Sequence, residues 1–399
     1  MIYIVIFILL FFLAWKFDYY EIKSHEKTWY YISLIILILL AGLRYRVGAD
    51  TISYMRDYDI LPPINKLNLN DFKTFKKEPL WLLFNSICKF FTPKFYLVQL
   101  IHASFINIVI FRFLKKNTSY FFTSILFYYI LFYNYFNMEI MRESIAISLF
   151  LLGIKPLIEN NLKRYYFFNV LALFFHYGAI VLFFFPLLIK IKLNMVSFIV
   201  SIILIAFLYL YGLNFVIYLF SSNEYIVHKI LFYKANTLNF NGVTFYIIRE
   251  LIFPLASFLL LVKYYHYKHS LNKLSFIYLF IGLVTVFFTG FYRLLNYFSI
   301  PMLIYISYIS VYFFKHKNLF RKVFAIFIVV SILIFHIFSI IKDTSLVLRN
   351  TRYYIIWYPY YSIFNEKLSK ERELFQINFM QKSAEKRRLK PKILLRNNK

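Results

Sequence analysis

The side chains of this sequence that carry chemistry are charged groups at the edges of long apolar runs. Arg44, Arg46 and Asp50 fall in Arg44-Tyr-Arg-Val-Gly-Ala-Asp-Thr-Ile-Ser-Tyr54, directly after one such run. Glu78 precedes a second run, Arg142 and Glu143 begin a third, and His176 interrupts a fourth. Arg249 and Glu250 lie about one turn into a fifth, and Tyr292-Arg293 separates two more. Charge at membrane depth is costly, so ionisable residues there are functional candidates by default. Guanidinium groups grip anions through paired donors, and His, Asp and Glu are the usual proton acceptors. Each residue also has a plainer use. Arg142 is within helical reach of Glu139, Arg249 of a carboxylate on a neighbouring helix, Arg44 and Arg46 of lipid headgroups, and His176 of a packing role.

Other patterns carry less. Asp57-Tyr58-Asp59 spells the acid-x-acid pattern by which sugar transferases hold a metal-bound nucleotide sugar, but it has no nucleotide-binding domain around it. His266 and His269 sit among lysines and read as solvated, while Asp18, Glu21 and Glu26 read as loop charges. There is no HExxH, no phosphate-binding glycine loop and no nucleophile elbow. Cys88 is the single cysteine, which excludes an internal disulfide.

The elements that position these residues follow from composition. Of 399 residues 61% are apolar and only 16% charged, which excludes a soluble globular domain. At about 20 apolar residues per crossing, a chain of this length supports on the order of a dozen membrane helices. The apolar runs are unbroken rather than alternating, so a bundle of helices is expected and a β-barrel is not. The expected class is an all-α polytopic integral membrane protein with about 10–13 membrane helices, short or re-entrant ones included. The net charge of +28 reads as topology rather than nucleic-acid binding, because Lys and Arg gather in cytoplasmic loops.

Spans are expected at residues 2–15, 29–43, 95–111, 120–136, 140–158, 195–220, 244–262, 274–291, 294–314 and 323–341. The first is read as uncleaved, with its N-terminus outside. Pro79 to Phe91 is too short to cross and reads as a re-entrant or interfacial helix. Residues 165–189 are interrupted by His176-Tyr177-Gly178 and read as two arms meeting at that break. This scheme gathers Lys16, Lys23, Lys27, Lys115, Lys116, Lys163, Arg164, Lys190, Lys192, Lys315 and Lys317 on the cytoplasmic side. The candidate residues, with the loop 44–77 and, against the pattern, its Lys66, Lys73, Lys76 and Lys77, then fall on the opposite side or at the break. Residues 1–341 form the expected bundle, and 342–399 an aromatic and then basic tail whose side is open.

The chain resembles the EpsG family of bacterial polysaccharide polymerases, relatives of the Wzy O-antigen polymerases. The resemblance lies in an ordered set: Arg44-x-x-x-Gly48-x-Asp50-x-x-x-Tyr54, Glu78-Pro-Leu-Trp, Arg142-Glu-Ser-Ile-Ala146, Phe175-His176-Tyr-Gly-Ala179 and Arg293-x-x-x-Tyr297-Phe298. The family commonly has Arg-Gln in place of Arg142-Glu143, and a small hydroxyl residue in place of Gly178. The resemblance implies a fold like the GT-C lipid-linked glycosyltransferases. It also implies transfer of undecaprenyl-pyrophosphate-linked oligosaccharides, as donor and acceptor, on the outer face of the bacterial cytoplasmic membrane. The polymer is an O-antigen, capsule or exopolysaccharide, and a chain-length regulator protein and membrane lipid are the further expected partners.

In that reading His176 is the first choice of base, with Asp50 or Glu78 as alternatives. Arg44, Arg46, Arg142, Arg249, Arg293, Tyr54 and Tyr292 hold pyrophosphate or glycan. No cofactor or metal is expected, since arginines supply the positive charge, and no nucleic acid is. The competing readings are an O-antigen ligase or another lipid-linked glycosyltransferase, and a polysaccharide flippase or transporter.

Overall fold

A computed structural model describes residues 2–75, 77–190, 269–287, 292–344 and 347–379, with the isolated positions 200, 203, 207, 255 and 381. The described residues are all-helical, with only two isolated β-bridges. The spans expected at 195–220 and 244–262, with Arg249 and Glu250, lie outside them. In chain order the helices are α1 (Ile2–Leu13), α2 (Glu26–Gly42), α3 (Thr51–Ile60), α4 (Leu69–Phe75), α5 (Pro79–Phe91), α6 (Tyr96–Asn117) and α7 (Phe121–Tyr128). They continue with α8 (Met141–Ile158), α9 (Leu162–Phe175), α10 (Phe185–Lys190), α11 (His269–Phe287), α12 (Tyr292–Lys315) and α13 (Leu319–Ile340). Among the described residues four helices are long and apolar enough to cross a membrane: Ile2–Tyr19, Tyr96–Asn117, Tyr292–Lys315 and Leu319–Ile340. The first runs past α1 through a π-helical turn, Ala14–Tyr19.

The chain divides into two compact units, one of Met1–Leu188 with Ser310–Gln376 and the other of Ile189–Ile309 with Ile377–Lys399. In the first unit α8 packs on α9 and α6, α2 on α6, α1 on α7, and α5 on α9. Gly42 makes the α2–α6 crossing close: a Cβ there would lie 2.7 Å from Leu100 Cδ1 and 2.9 Å from its Cα. Such close approach is how helices associate where lipid removes the hydrophobic incentive. Two π-helical segments, Tyr129–Tyr133 and Tyr135–Glu139, carry the chain from α7 towards α8. A closed polar ring fixes them to α6. Asn107 Nδ2 donates to Asn137 Oδ1 (2.8 Å), Asn137 Nδ2 to the Tyr128 hydroxyl (2.9 Å), and that hydroxyl to Asn107 Oδ1 (3.1 Å). All three residues are buried and satisfy one another, the condition under which a buried polar network is stabilising.

The helix ends have local causes. Asn161 caps α9 by accepting from Arg164 N at 3.1 Å, and Asn318 caps α13 by accepting from Arg321 N at 3.4 Å. Pro79 opens α5, where its missing N–H costs nothing, and extended Thr92 followed by Pro93 closes it. The break expected at His176-Tyr177-Gly178 is present. Helix α9 stops at Phe175, His176 is extended (φ −155°, ψ 115°), and a 3-10 segment runs over Tyr177–Phe184. Its arms fold back on each other, since the Tyr165 hydroxyl and Asn169 Nδ2 both donate to Leu182 O, at 2.7 and 3.4 Å.

At one end of this unit lie Lys23, Glu26, Lys27, Tyr30, Tyr31 and Lys115, around a cleft of about 400 Å³. Lys315 Nζ donates to Glu21 Oε1 there, at 2.6 Å. Asp18, expected as a loop charge, is buried instead and accepts from Thr123 N at 2.6 Å. The other end carries the loop after α2, the start of α8, the break after α9, and the chain after α13. That last segment folds onto the loop after α2 rather than trailing away. Tyr45 N donates to Tyr361 O (2.8 Å), Gly48 N to Ile356 O (2.9 Å) and Ile363 N to Leu43 O (2.9 Å). Ile355, Ile356 and Phe375 form a small apolar cluster beneath it, packed against Ala49, Val347, Leu348, Tyr353 and Trp357.

Candidate active site

Glu78 is the hub around which the first unit gathers its candidate residues. It stands in extended conformation immediately before α5, and the packing of α5 on α9 brings it to the His176 break. Arg142 Nη1 donates to Glu78 Oε2, and His176 Nδ1 lies 3.3 Å from Glu78 Oε1, which also accepts from Tyr177 N at 3.4 Å. His176 Nε2 is 3.8 Å from Glu143 Oε2. The histidine thus lies between two carboxylates, one on each ring nitrogen. Tyr54 sets its hydroxyl beside Arg142, and its ring packs edge-on to Trp81 at 5.4 Å.

Glu78 is 4% exposed, whereas the Arg142 side chain keeps 24% of its surface and the His176 side chain 16%. Burial opposes charge on Glu78. The His176 contact and the Arg142 guanidinium outweigh it and hold the carboxyl at about 2. The Arg142–Glu78 pair is therefore ionic, and the Arg142 Nε–H has no protein acceptor. Gly178 gives the histidine its room: a Cβ there would lie 2.7 Å from His176 Nε2 and 3.0 Å from its Cδ2.

The start of α8 is held from behind by α6. His102, 1% exposed, places Nε2 2.9 Å from Met141 O and 3.1 Å from Ser144 Oγ, on either side of Arg142 and Glu143. His102 did not stand out in the sequence because it lies mid-helix among apolar residues, with no break or charge beside it. Glu143 was legible as an intramembrane charge, but its approach to His176 depends on how α8 and the α9 break meet.

Several expected roles change. Arg142 does not pair with Glu139; Glu78, 64 positions away, takes that place. Glu139 instead accepts from the Tyr353 hydroxyl at 3.4 Å. Arg44 is 1% exposed and three of its five N–H donors go to Ala41 O, Val47 O (3.1 Å) and Met141 Sδ (3.4 Å), so it braces its own loop. Arg46 forms a two-bond pair with Glu373, at 2.6 and 2.5 Å. Asp57 pairs with Lys77 at 3.4 Å, which leaves the acid-x-acid pattern to ordinary surface electrostatics. Asp50 begins α3, one turn before Tyr54, whose N–H it receives at 3.0 Å. Tyr292 and Arg293 belong to the second unit, exposed in the first turn of α12. No group of His, Cys, Asp and Glu suited to a metal occurs among the described residues.

Apolar spans around a buried acid, an arginine and a histidine at one end define a membrane protein with a polar, anion-capable centre. The EpsG family model matches residues 27–362, from α2 through every residue of that centre, and the chain belongs to the EpsG family. It is accordingly a membrane protein of the polysaccharide-polymerase type. No curated protein and no solved structure matches the chain.

Proposed function

We propose that the chain is a glycosyltransferase that joins oligosaccharide repeat units carried on undecaprenyl pyrophosphate. The reaction takes place on the outer face of the cytoplasmic membrane, in a multi-pass bundle of the GT-C-like kind. The observation that carries this reading is the single carboxylate of Glu78 shared by Arg142 and His176, an anion-binding group and a base oriented by one residue.

In the reaction the acceptor hydroxyl oxygen bonds to the anomeric carbon of the donor as the bond from that carbon to pyrophosphate breaks. The hydroxyl proton passes to His176, and undecaprenyl pyrophosphate leaves. Glu78 beside Nδ1 stabilises the imidazolium that forms and keeps Nε2 for the acceptor. Arg142, with an unused Nε–H and a Tyr54 hydroxyl beside it, receives the negative charge growing on the leaving group. Arg249, Arg293 and Tyr292 are proposed as further pyrophosphate or glycan contacts. Asp50 is the remaining alternative base, since Glu78 is committed to its two partners. Arg44 and Arg46 have no part in the step.

The outward direction is read from Lys23, Lys27, Lys115 and Lys315 at one end of the first unit, taken as cytoplasmic by the positive-inside rule although the loop 44–77 carries Lys66, Lys73, Lys76 and Lys77. The test is purified protein supplied with lipid-linked repeat units. Wild type should build polymer, and His176→Ala should lower turnover about 10²- to 10⁴-fold while still binding the lipid-linked unit. Wild-type turnover by His176→Gln would remove the base role. In cells, loss of the gene should leave single-unit glycans, whereas unmodified acceptor would indicate a ligase instead.

A further inference from the structure

The segment after residue 362, beyond the reach of the family match, is built into the loop that leads to Tyr54. Arg372 is 1% exposed and donates to three backbone carbonyls: Ile355 O (2.9 Å), Arg46 O (3.2 Å) and Pro359 O. One turn on, Gln376 Nε2 donates to Gly48 O at 2.8 Å, and between them Glu373 holds Arg46 through both of its oxygens. Lys94 Nζ, ahead of α6, reaches Glu366 at 3.2 Å. The loop so held is tightly constrained. Gly48 has φ +113°, and a Cβ on it would lie 2.3 Å from Met138 O. Its carbonyl accepts from Thr51 N at 3.3 Å, at the first turn of α3.

We infer that residues 366–376 are a clamp that sets the loop 44–50, and that Arg372, Glu373 and Gln376 are positioning residues for Asp50, Tyr54 and, through Tyr54, Arg142. The physical case is one of donors and acceptors. A buried arginine that satisfies three carbonyls has no equivalent replacement, because an ammonium cannot present the planar fork. Without it those carbonyls are left unpaired, and each unpaired buried polar group is costly. Clamp and loop are tied at three of the seven positions 44–50: Arg46 by its side chain and carbonyl, Gly48 by its carbonyl to Gln376, and Ala49 by packing on the cluster that includes Phe375. Moving the clamp therefore moves the base of α3, and with it the hydroxyl that touches Arg142.

The catalytic part of this inference rests on the function proposed above, and the clamp itself does not. The test uses the full chain in lipid nanodiscs with two readouts: trypsin cleavage after Arg56, a site present in every variant, and turnover of lipid-linked repeat units. Glu373→Arg, which sets two cations together, should raise the cleavage rate and lower kcat about tenfold each. Arg46→Glu combined with Glu373→Arg restores an opposite-charge pair and should recover both to within about threefold of wild type. Arg372→Lys should retain less than a tenth of wild-type kcat at normal protein level. Should Arg372→Lys fail to accumulate, the charge swap alone decides. Wild-type cleavage and kcat in Glu373→Arg would overturn the clamp, as would a double variant no better than the single one. An inactive wild type would overturn the proposed function, and the cleavage rates would still judge the clamp.

Discussion

His176 depends on the absence of an atom at Gly178. In this structure the imidazole occupies the space that a Cβ at residue 178 would need, 2.7 Å from Nε2. Since the atom displaced belongs to a side chain, the ring gives way and not the fold. Gly178→Ala should thus lower turnover at least about tenfold, by moving the base from its acceptor, with thermal stability nearly unchanged. Equal loss of both would mean that the ring cannot move. Arg142 invites a second substitution. A lysine keeps the charge but cannot bond Glu78 and a phosphate in one plane, so Arg142→Lys should lose most polymer at normal protein level. Full-length polymer from that variant would leave Arg142 as a structural partner of Glu78. The same carboxylate makes a pH prediction. Its folded value is depressed from 4.5 to about 2, so the stability it adds is complete above the ordinary value and disappears as the pH falls towards 2. The melting-temperature gap between wild type and Glu78→Gln should narrow only below about pH 5. Convergence near neutrality would contradict the ionic pair.

The loop between α2 and α3 is the element on which sequence and structure differ most. Its charges were legible because Arg44, Arg46 and Asp50 follow an apolar run at once, and its glycine because the spacing Arg44-x-x-x-Gly48-x-Asp50 is part of the resemblance. Their partners were not legible. Arg46 meets Glu373 across 327 positions, and no local periodicity connects two such residues. The tail was hidden for a related reason: its bonds to the loop are either backbone bonds, which any composition supplies, or side-chain bonds between residues more than 300 positions apart. The α9 break, by contrast, was readable from one polar triplet in an apolar run, because a helix interruption is encoded where it occurs. So were Pro79 at the start of α5 and the spans Ile2–Tyr19, α6, α12 and α13, whose lengths follow from lipid thickness. Gly48 offers the test at this scale. Alanine there meets both a left-handed backbone and the Met138 carbonyl, so Gly48→Ala should destabilise the protein by about 1–3 kcal/mol or more, visible as a lower Tm in detergent. An unchanged Tm would mean that loop and π-helical segment separate at little cost.

In the first unit Lys23, Lys27, Lys115 and Lys315 lie at one end and the Glu78 cluster and tail at the other, which makes sidedness measurable. In a Cys88→Ser background, Phe364→Cys, on a residue 82% exposed, should react in intact cells with a membrane-impermeant thiol reagent. Lys317→Cys should not react until the membrane is opened, and the reverse pattern would invert the orientation. The tail has one more consequence, which concerns time. Arg372 reaches the carbonyl of Arg46 from 326 positions later in the chain. At about 5–20 residues per second, a ribosome that has made the loop needs roughly 15 to 65 seconds more to make its clamp. Through that interval the loop and the first turn of α3 have emerged and their partners have not been synthesised. That end of the first unit is completed only when residues 366–376 have been made, and a chain released before them carries the loop without its clamp.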